Sequence, residues 1–163
     1  MTRYFMGHHW IVRHVNADEF DAWSQLFRGY CEFYACPTSD EHQRQIWNWI
    51  HELKCVEALV AVEVDDEQNE VDVPRGLAHL REWVRPLRGT KGGYLDDLYV
   101  DPQRRGLGAV DALFSAINDI AIEREWSVVR WTTAGDNARA QAVYNKVASR
   151  TSWVTYDMTP RAT

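Results

Sequence analysis

Long apolar runs are missing from this 163-residue sequence. Nothing in it approaches the roughly 20 residues that a membrane-spanning helix needs. Its N-terminus also lacks the charged-then-apolar pattern of a secretory signal. These absences lead to the expectation of a cytoplasmic protein with no membrane partner. Cysteine is scarce: Cys31, Cys36 and Cys55 cannot all pair within one chain, and none forms a CxxC. No Cys/His cluster has zinc-binding spacing, and the adjacent His8 and His9 point to opposite faces if they lie on a strand. Reduced thiols and no metal are expected. Positive charge is short as well. The 18 Lys and Arg against 24 Asp and Glu leave a net charge of -6, the wrong balance for a general nucleic-acid binder, which must neutralise phosphates. Repeats, low-complexity stretches, a GxxxxGK[ST] loop and a GxGxxG after the first strand are all lacking.

What is present suits one compact domain spanning 1–163, with a core over about 9–158. Hydrophobic residues make up 45% of the chain, and its eight tryptophans are expected to serve packing first. Residues 9–15 read as a strand. Asn16 and Glu19 resemble a capping box that opens a helix. On that helix Phe20, Trp23, Phe27, Tyr30 and Tyr34 share one face. Pro37 stops it, and Thr38-Ser39-Asp40-Glu41 starts a second helix with an apolar face of Ile46, Trp49, Ile50 and Leu53. Strands are predicted over 56–64, 77–83, 94–100, 127–133 and 152–158, with a glycine-rich loop over 86–93. Helices are predicted over 106–124 and 137–147. The order β-α-α-β-β-β-α-β-α-β implies hairpins in the middle and parallel crossovers later, hence an α/β domain with a mixed central sheet flanked by helices.

The chemistry concentrates in one segment, where the strand Tyr94-Leu95-Asp96-Asp97-Leu98-Tyr99-Val100 turns through Asp101-Pro102 into Gln103-Arg104-Arg105-Gly106-Leu107-Gly108 and then a long helix. Glycines let the backbone approach a ligand, and the helix start turns N–H groups toward it. Arg104 and Arg105 add full charges. Together these residues form a cradle for a pyrophosphate. Asp96 and Asp97 are neighbouring carboxylates in an otherwise apolar strand. A regular strand sends them to opposite faces, and a β-bulge aims both the same way.

Gln103 to Gly108 matches the Q/R-x-x-G-x-G/A coenzyme A loop of the GNAT acetyltransferase superfamily at every defined position. Asn137, Ala140 and Tyr144, one strand downstream, resemble its N-x-x-A-x-x-x-Y helix. The order of elements is similar over nearly the whole chain. Within the superfamily, 94–100 resembles the Y-L-E-D-[LF]-[YF]-V strand of the spermidine/spermine and histone-type enzymes. Arg28-Gly29-Tyr30-Cys31-Glu32-Phe33-Tyr34 resembles the first helix of that subgroup.

That resemblance implies an N-acetyltransferase using acetyl-coenzyme A and a primary amine. An amine with a pKa of about 10.4 is more than three units from its free base at neutral pH, a cost of roughly 4–5 kcal/mol. A base is therefore needed, together with an acid for the departing thiolate. The resemblance implies Tyr144 as that acid and Asp96 as the base. Asp96 is one methylene shorter than the subgroup's Glu, so it reaches the amine through a water. Backbone groups of Leu98, Tyr99 and Val100 are implied as pantetheine contacts, and Asn137 and Ala140 as further coenzyme A contacts. On the acceptor side stand Asp97, Tyr30 and Tyr34. A small cationic amine or polyamine is expected, with a protein lysine or a non-catalytic acyl-CoA sensor as alternatives. A homodimer is expected too, with 152–158 as a plausible interface strand.

Overall fold

The computed structural model describes residues 3–5 and 8–160. It divides into two units, Met1–Thr132 and Thr133–Thr163. In the first unit the strands are β1 (Arg3–Phe5), β2 (His8–His14), β3 (Glu57–Val64), β4 (Gly76–Arg85), β5 (Thr90–Val100) and β6 (Val129–Arg130). Its helices are α1 (Phe20–Phe33), α2 (Asp40–His51) and α3 (Ala109–Glu123). The six strands lie side by side in sequence order; the first five are antiparallel, and β6 joins β5 in parallel. The mixed α/β sheet expected from the sequence is therefore present.

Period-two alternation sorts the strands into two cores. One face, carrying Trp10, Leu59, Ala61, Ala78, Leu80, Leu95 and Val100, packs against Leu113 and Ile117 of α3. The opposite face, with Val60, Val62 and Leu77, packs against Trp23, Leu26 and Phe27 of α1 and Ile46 of α2. Along β5 the alternation breaks. Leu95 and Leu98 share the α3 face although three residues apart. The register gives the reason: His79 faces Asp97 while Leu80 faces Leu95, so Asp96 is an extra, bulged residue.

Helix ends follow local chemistry. Ser39 caps α2 by accepting from the N–H of His42 at 3.1 Å, and Asp40 and Glu41 fill its first turn. The capping box foreseen at Asn16 and Glu19 is only half formed. The Asn16 N–H donates to the Glu19 carboxylate at 2.7 Å, but α1 begins at Phe20 with Glu19 itself at the cap. Two guanidinium nitrogens of Arg13 hold that carboxylate at 2.8 Å each, so Glu19 spends its oxygens on the sheet rather than on its helix. At the other end the Cys36 N–H returns to the Cys31 carbonyl at 2.9 Å and the Ala35 N–H to the Glu32 carbonyl at 3.1 Å. Ala35 sits in between at φ +51°. This is a Schellman closure without its usual glycine.

Three expectations need correction, and one strand was not foreseen. The stretch 86–93 is no loop: β4 reaches Arg85, a single 3₁₀ turn covers Pro86–Arg88, and β5 starts at Thr90. Gly92 and Gly93 lie inside β5 because the chain passes close beside them. A Cβ on Gly92 would meet the Val128 carbonyl, and one on Gly93 the Trp126 ring. The strand expected over 127–133 contracts to Val129–Arg130. Residues 151–160 form no strand, and Trp153, Val154, Tyr156 and Met158 there are exposed. The short strand β1 carried no periodicity that could reveal it.

In the second unit α4 (Ala138–Val147) is the one helix among the described residues. Asn137 caps it, accepting from the Ala140 N–H at 3.1 Å, and the Gln141 amide ties back to the carbonyls of Ala134 and Gly135.

The Gly93 contact yields a test. Gly93→Ala should destabilise the protein by about 1–3 kcal/mol through overpacking against Trp126. Denaturant unfolding followed by tryptophan fluorescence measures it, and an unchanged midpoint would contradict the packing described.

Candidate active site

The bulge decides where the two carboxylates go. Without it Asp96 would lie on the α3 face. With it Asp96 and Asp97 both emerge on the face covered by α1, next to Arg81 and His79 of β4. The Nε–H of Arg81 donates to Asp96 at 2.9 Å, and the guanidinium lies 4.6 Å from the centre of the Tyr94 ring. Burial pushes the Asp96 carboxyl above its ordinary value, Arg81 pulls part of that back, and the neighbouring Asp97 charge adds to the rise.

Asp97 has a different neighbour. Its carboxylate lies 2.7 Å from Nδ1 of His79, a side chain only 2% exposed. The Tyr30 hydroxyl also donates to it. Burial works against the Asp97 charge, but the His79 imidazole, by hydrogen bond and electrostatic attraction, and then the Tyr30 hydroxyl outweigh it and hold the carboxyl below its ordinary value. The two aspartates thus have opposed tendencies, one toward taking up a proton and one toward staying ionised. With Asp96 paired to a cation, Asp97 is the anion left to attract one.

Beyond Tyr94 no strand among the described residues pairs with the outer edge of β5, because β6 pairs only with Gly93 and Tyr94. The Asp101 N–H reaches inward to the Arg75 carbonyl at 2.9 Å. By strand alternation Leu98 and Val100 then turn their N–H and C=O groups to the open edge, and Tyr99 turns its own toward β4. The Val100 carbonyl accepts from Arg105 Nε at 3.0 Å.

The turn that follows is held from both sides. Asp101 accepts from the Gln103 N–H at 2.9 Å, and residues Pro102–Arg104 make one 3₁₀ turn. Trp10, fully buried, donates its indole N–H to the Leu107 carbonyl at 2.7 Å. Gly106 and Gly108 adopt φ of +83° and +95°, values that favour glycine. No atom lies within 4 Å of where a Gly106 Cβ would sit. Among the described residues no group accepts from the N–H of Gly106, Leu107 or Gly108, and α3 begins at once. Open space, free donors and a helix start fit a phosphate group.

The two arginines of this turn are less free than the sequence suggested. Arg104 faces Asp72 at 3.4 Å and Glu63 at 3.5 Å. Arg105 lies over the rings of Tyr99 and Phe33, 5.5 and 5.8 Å from their centres. In the second unit Asn137, Ala140 and Tyr144 are all half-buried.

The model of the acetyltransferase (GNAT) family matches residues 21–148. The chain belongs to this family. A D-amino-acid N-acetyltransferase HPA3 of Saccharomyces cerevisiae is 26% identical over 146 residues, covering 90% of this chain and 88% of the yeast protein. Among solved structures, the ribosomal-protein-alanine N-acetyltransferase of Brucella melitensis biovar Abortus 2308 superposes with a TM-score of 0.74 at 19% identity, over 93% of this chain and 99% of its own. The aminoglycoside N-acetyltransferase AAC(6')-Iy, in complex with CoA, reaches 0.78 at 16% identity, over 96% and 97%. The fold is that of GNAT acetyltransferases, and the chain is an N-acetyltransferase of this type.

Against that family's pattern, the structure brings Asp96, Asp97, Leu98, Val100 and the turn 103–108 into one run of β5 and its exit. Tyr30 touches this run through Asp97 and through the Tyr99 ring, 6.4 Å away. Tyr34 stands just past the end of α1, half exposed, its ring 5.0 Å from Tyr30. Sequence reasoning missed His79, Arg81, Trp23 and Trp10. The signal for His79 was a lone imidazole at an inward position of Leu77-Ala78-His79-Leu80. For Trp10 there was none, since its partner lies 97 residues away. Among the described residues no group of His, Cys, Asp and Glu could hold a metal, and no helix is long and apolar enough to cross a membrane.

Replacing Gly106 or Gly108 by Ala should each cost about 1 kcal/mol of stability through left-handed backbone strain. Thermal unfolding of the two variants checks this, and a raised melting temperature would contradict the turn conformation.

Proposed function

We propose that this chain transfers the acetyl group of acetyl-CoA to the primary amine of a small cationic acceptor, of the polyamine kind, within one acetyltransferase domain spanning 1–163. The observation that carries the reading is the pair of carboxylates set on one face, with the Arg81 guanidinium bonded to Asp96 and not to Asp97. That site carries one uncompensated negative charge, and a protonated amine supplies its complement.

The donor substrate's diphosphate would be held by the N–H groups of Gly106, Leu107 and Gly108 and the α3 N-terminus, with Gln103, Arg104 and Arg105 at its margin. Arg104, held at 3.4–3.5 Å by Asp72 and Glu63, and Arg105, bonded to a carbonyl, would exchange these partners for phosphate. The pantetheine arm would lie along the open edge at Leu98, Tyr99 and Val100. Asn137 and Ala140 would contribute further contacts. Asp97, Tyr30 and Tyr34 would receive the acceptor.

In the reaction the amine nitrogen attacks the thioester carbonyl, the C–N bond forms and the C–S bond breaks. Asp96, the carboxylate with the raised affinity for protons, takes the amine's proton through a water. Tyr144 returns a proton to the thiolate. The role of Tyr144 rests on its place in the N-x-x-A-x-x-x-Y helix and on a phenol's ability to donate. We further propose a cytoplasmic homodimer; the exposed 151–160 segment is available for association.

A second reading is favoured by Arg81. Only its Nε is bonded to Asp96, and among the described residues its terminal amino groups make no hydrogen bond. An α-amino acid would place its ammonium on Asp97 and its carboxylate on Arg81, in keeping with the name of the yeast relative. A protein lysine uses Asp97 alone. An acyl-CoA sensor binds the donor without turnover.

Thiol release from acetyl-CoA, measured across polyamines, D- and L-amino acids, aminoglycosides and a lysine peptide, separates these readings. Polyamines should give the highest kcat/KM. Turnover confined to amino acids selects the second reading, and binding without turnover selects the sensor. Tyr144→Phe should lower kcat about 10–100-fold while acetyl-CoA affinity stays within about 3-fold. An unchanged kcat removes Tyr144 from the reaction.

A further inference from the structure

The least expected feature of this site lies behind it. Trp23, completely buried on α1, points its indole N–H at Nε2 of His79, 2.9 Å away. An indole nitrogen only donates, so Nε2 must be the bare, accepting nitrogen of that imidazole. The ring's one proton is then on Nδ1, which faces the Asp97 carboxylate at 2.7 Å. Packing fixes the ring as well. The Trp23 and Phe27 rings stack on each other at 5.3 Å, and both lie within 6 Å of the imidazole, at 5.8 and 5.7 Å between centres. Trp47 backs Trp23 in turn at 5.1 Å.

We propose that His79, set in its Nδ1–H form by Trp23, is a positioning residue: it holds the Asp97 carboxylate toward the acceptor side, so that the remaining lone pairs of that carboxylate receive the substrate's ammonium group. This rests on the amine-acetyltransferase reading above and adds to it the means by which the acceptor anchor is aimed. A carboxylate offers about four lone-pair directions. His79 and the Tyr30 hydroxyl use two, and Asp97 retains 23% side-chain exposure through which an amine can reach the rest. His79 does not serve as the base, because its second nitrogen is turned into the core and taken by Trp23. Removing the Nδ1–H donor leaves Asp97 free to swing, and an acceptor displaced by about 1 Å loses on the order of 100-fold in rate.

Two amide replacements separate the two ends of the ring. In His79→Asn the amide N–H₂ stands where Nδ1 stood and still donates to Asp97, while the bond to Trp23 is lost. In His79→Gln the amide carbonyl reaches the Nε2 position and still accepts from Trp23, while the donor to Asp97 is lost. Acceptor KM, acetyl-CoA KM, kcat and melting temperature are measured for both. The proposal expects His79→Gln to raise acceptor KM about 10–100-fold with acetyl-CoA KM unchanged, and His79→Asn to stay within about 3-fold of the native value. A purely structural His79 predicts instead that both variants lose melting temperature and that any loss of activity follows it. Acceptor KM unchanged in both folded variants overturns the proposal. Should neither variant fold, long-range ¹H–¹⁵N spectra of the native protein decide: a proton on Nδ1 supports the proposal and one on Nε2 overturns it. A native chain that acetylates no amine defeats the acetyltransfer reading and this inference together. A native chain that does, with both variants unchanged, defeats this inference alone.

Discussion

One extra residue in β5 carries the arrangement. A strand that keeps strict alternation cannot show two consecutive side chains on the same face. By inserting Asp96 opposite no partner, the bulge moves Leu95 to the α3 core and leaves two carboxylates side by side under α1. β6 pairs with β5 only up to Tyr94, so among the described residues no strand pairs with the outer edge at Leu98 and Val100. The side-by-side placement of the two carboxylates thus follows from a single irregularity.

The neighbours of the two aspartates explain why one dipeptide shows two opposed tendencies toward protonation. Arg81 is partly exposed and binds Asp96 through one nitrogen, so that carboxylate is compensated while burial still favours its protonated form. His79 is buried and hydrogen-bonds Asp97 through Nδ1 at 2.7 Å. A hydrogen bond to a charged group contributes about 1.5–3 kcal/mol, enough to offset the burial of a carboxylate that remains one-quarter exposed. Two identical side chains on consecutive residues, their Cα atoms about 3.8 Å apart, are thereby tuned apart by a guanidinium and an imidazole on the strand next door.

Much of this could be read in the sequence, for reasons that differ by element. Continuous apolar runs such as Ala58-Leu59-Val60-Ala61-Val62, buried on both faces, and the 3.6-residue stripe of α3 report burial directly, so the sheet and its helices were legible. The glycine turn was legible because Gly106 and Gly108 need backbone angles other residues avoid. The apolar stretch Trp153, Val154, Tyr156 and Met158 looked like a strand, but alternation records only a preference, and no partner pairs with it among the described residues. Gly92 and Gly93 suggested a loop because glycine signals both turns and close approach, and here the approach of Trp126 and Val128 is the cause. His79 and Trp10 escaped notice because their partners are 18 and 97 residues distant. The family match gives the class of chemistry, while the pairing of Asp96 with Arg81 and of Asp97 with His79 is displayed only by the fold.

The claim most exposed to test is that the bulge gives its two aspartates different protonation behaviour. Carboxyl ¹³C shifts of Asp96 and Asp97, assigned with the Asp96→Asn and Asp97→Asn variants and followed through an acid titration, measure it directly. Asp97 should lose its charge only below the ordinary aspartate range and Asp96 already above it. Coincident titration at the ordinary value, or the reverse order, would contradict the account.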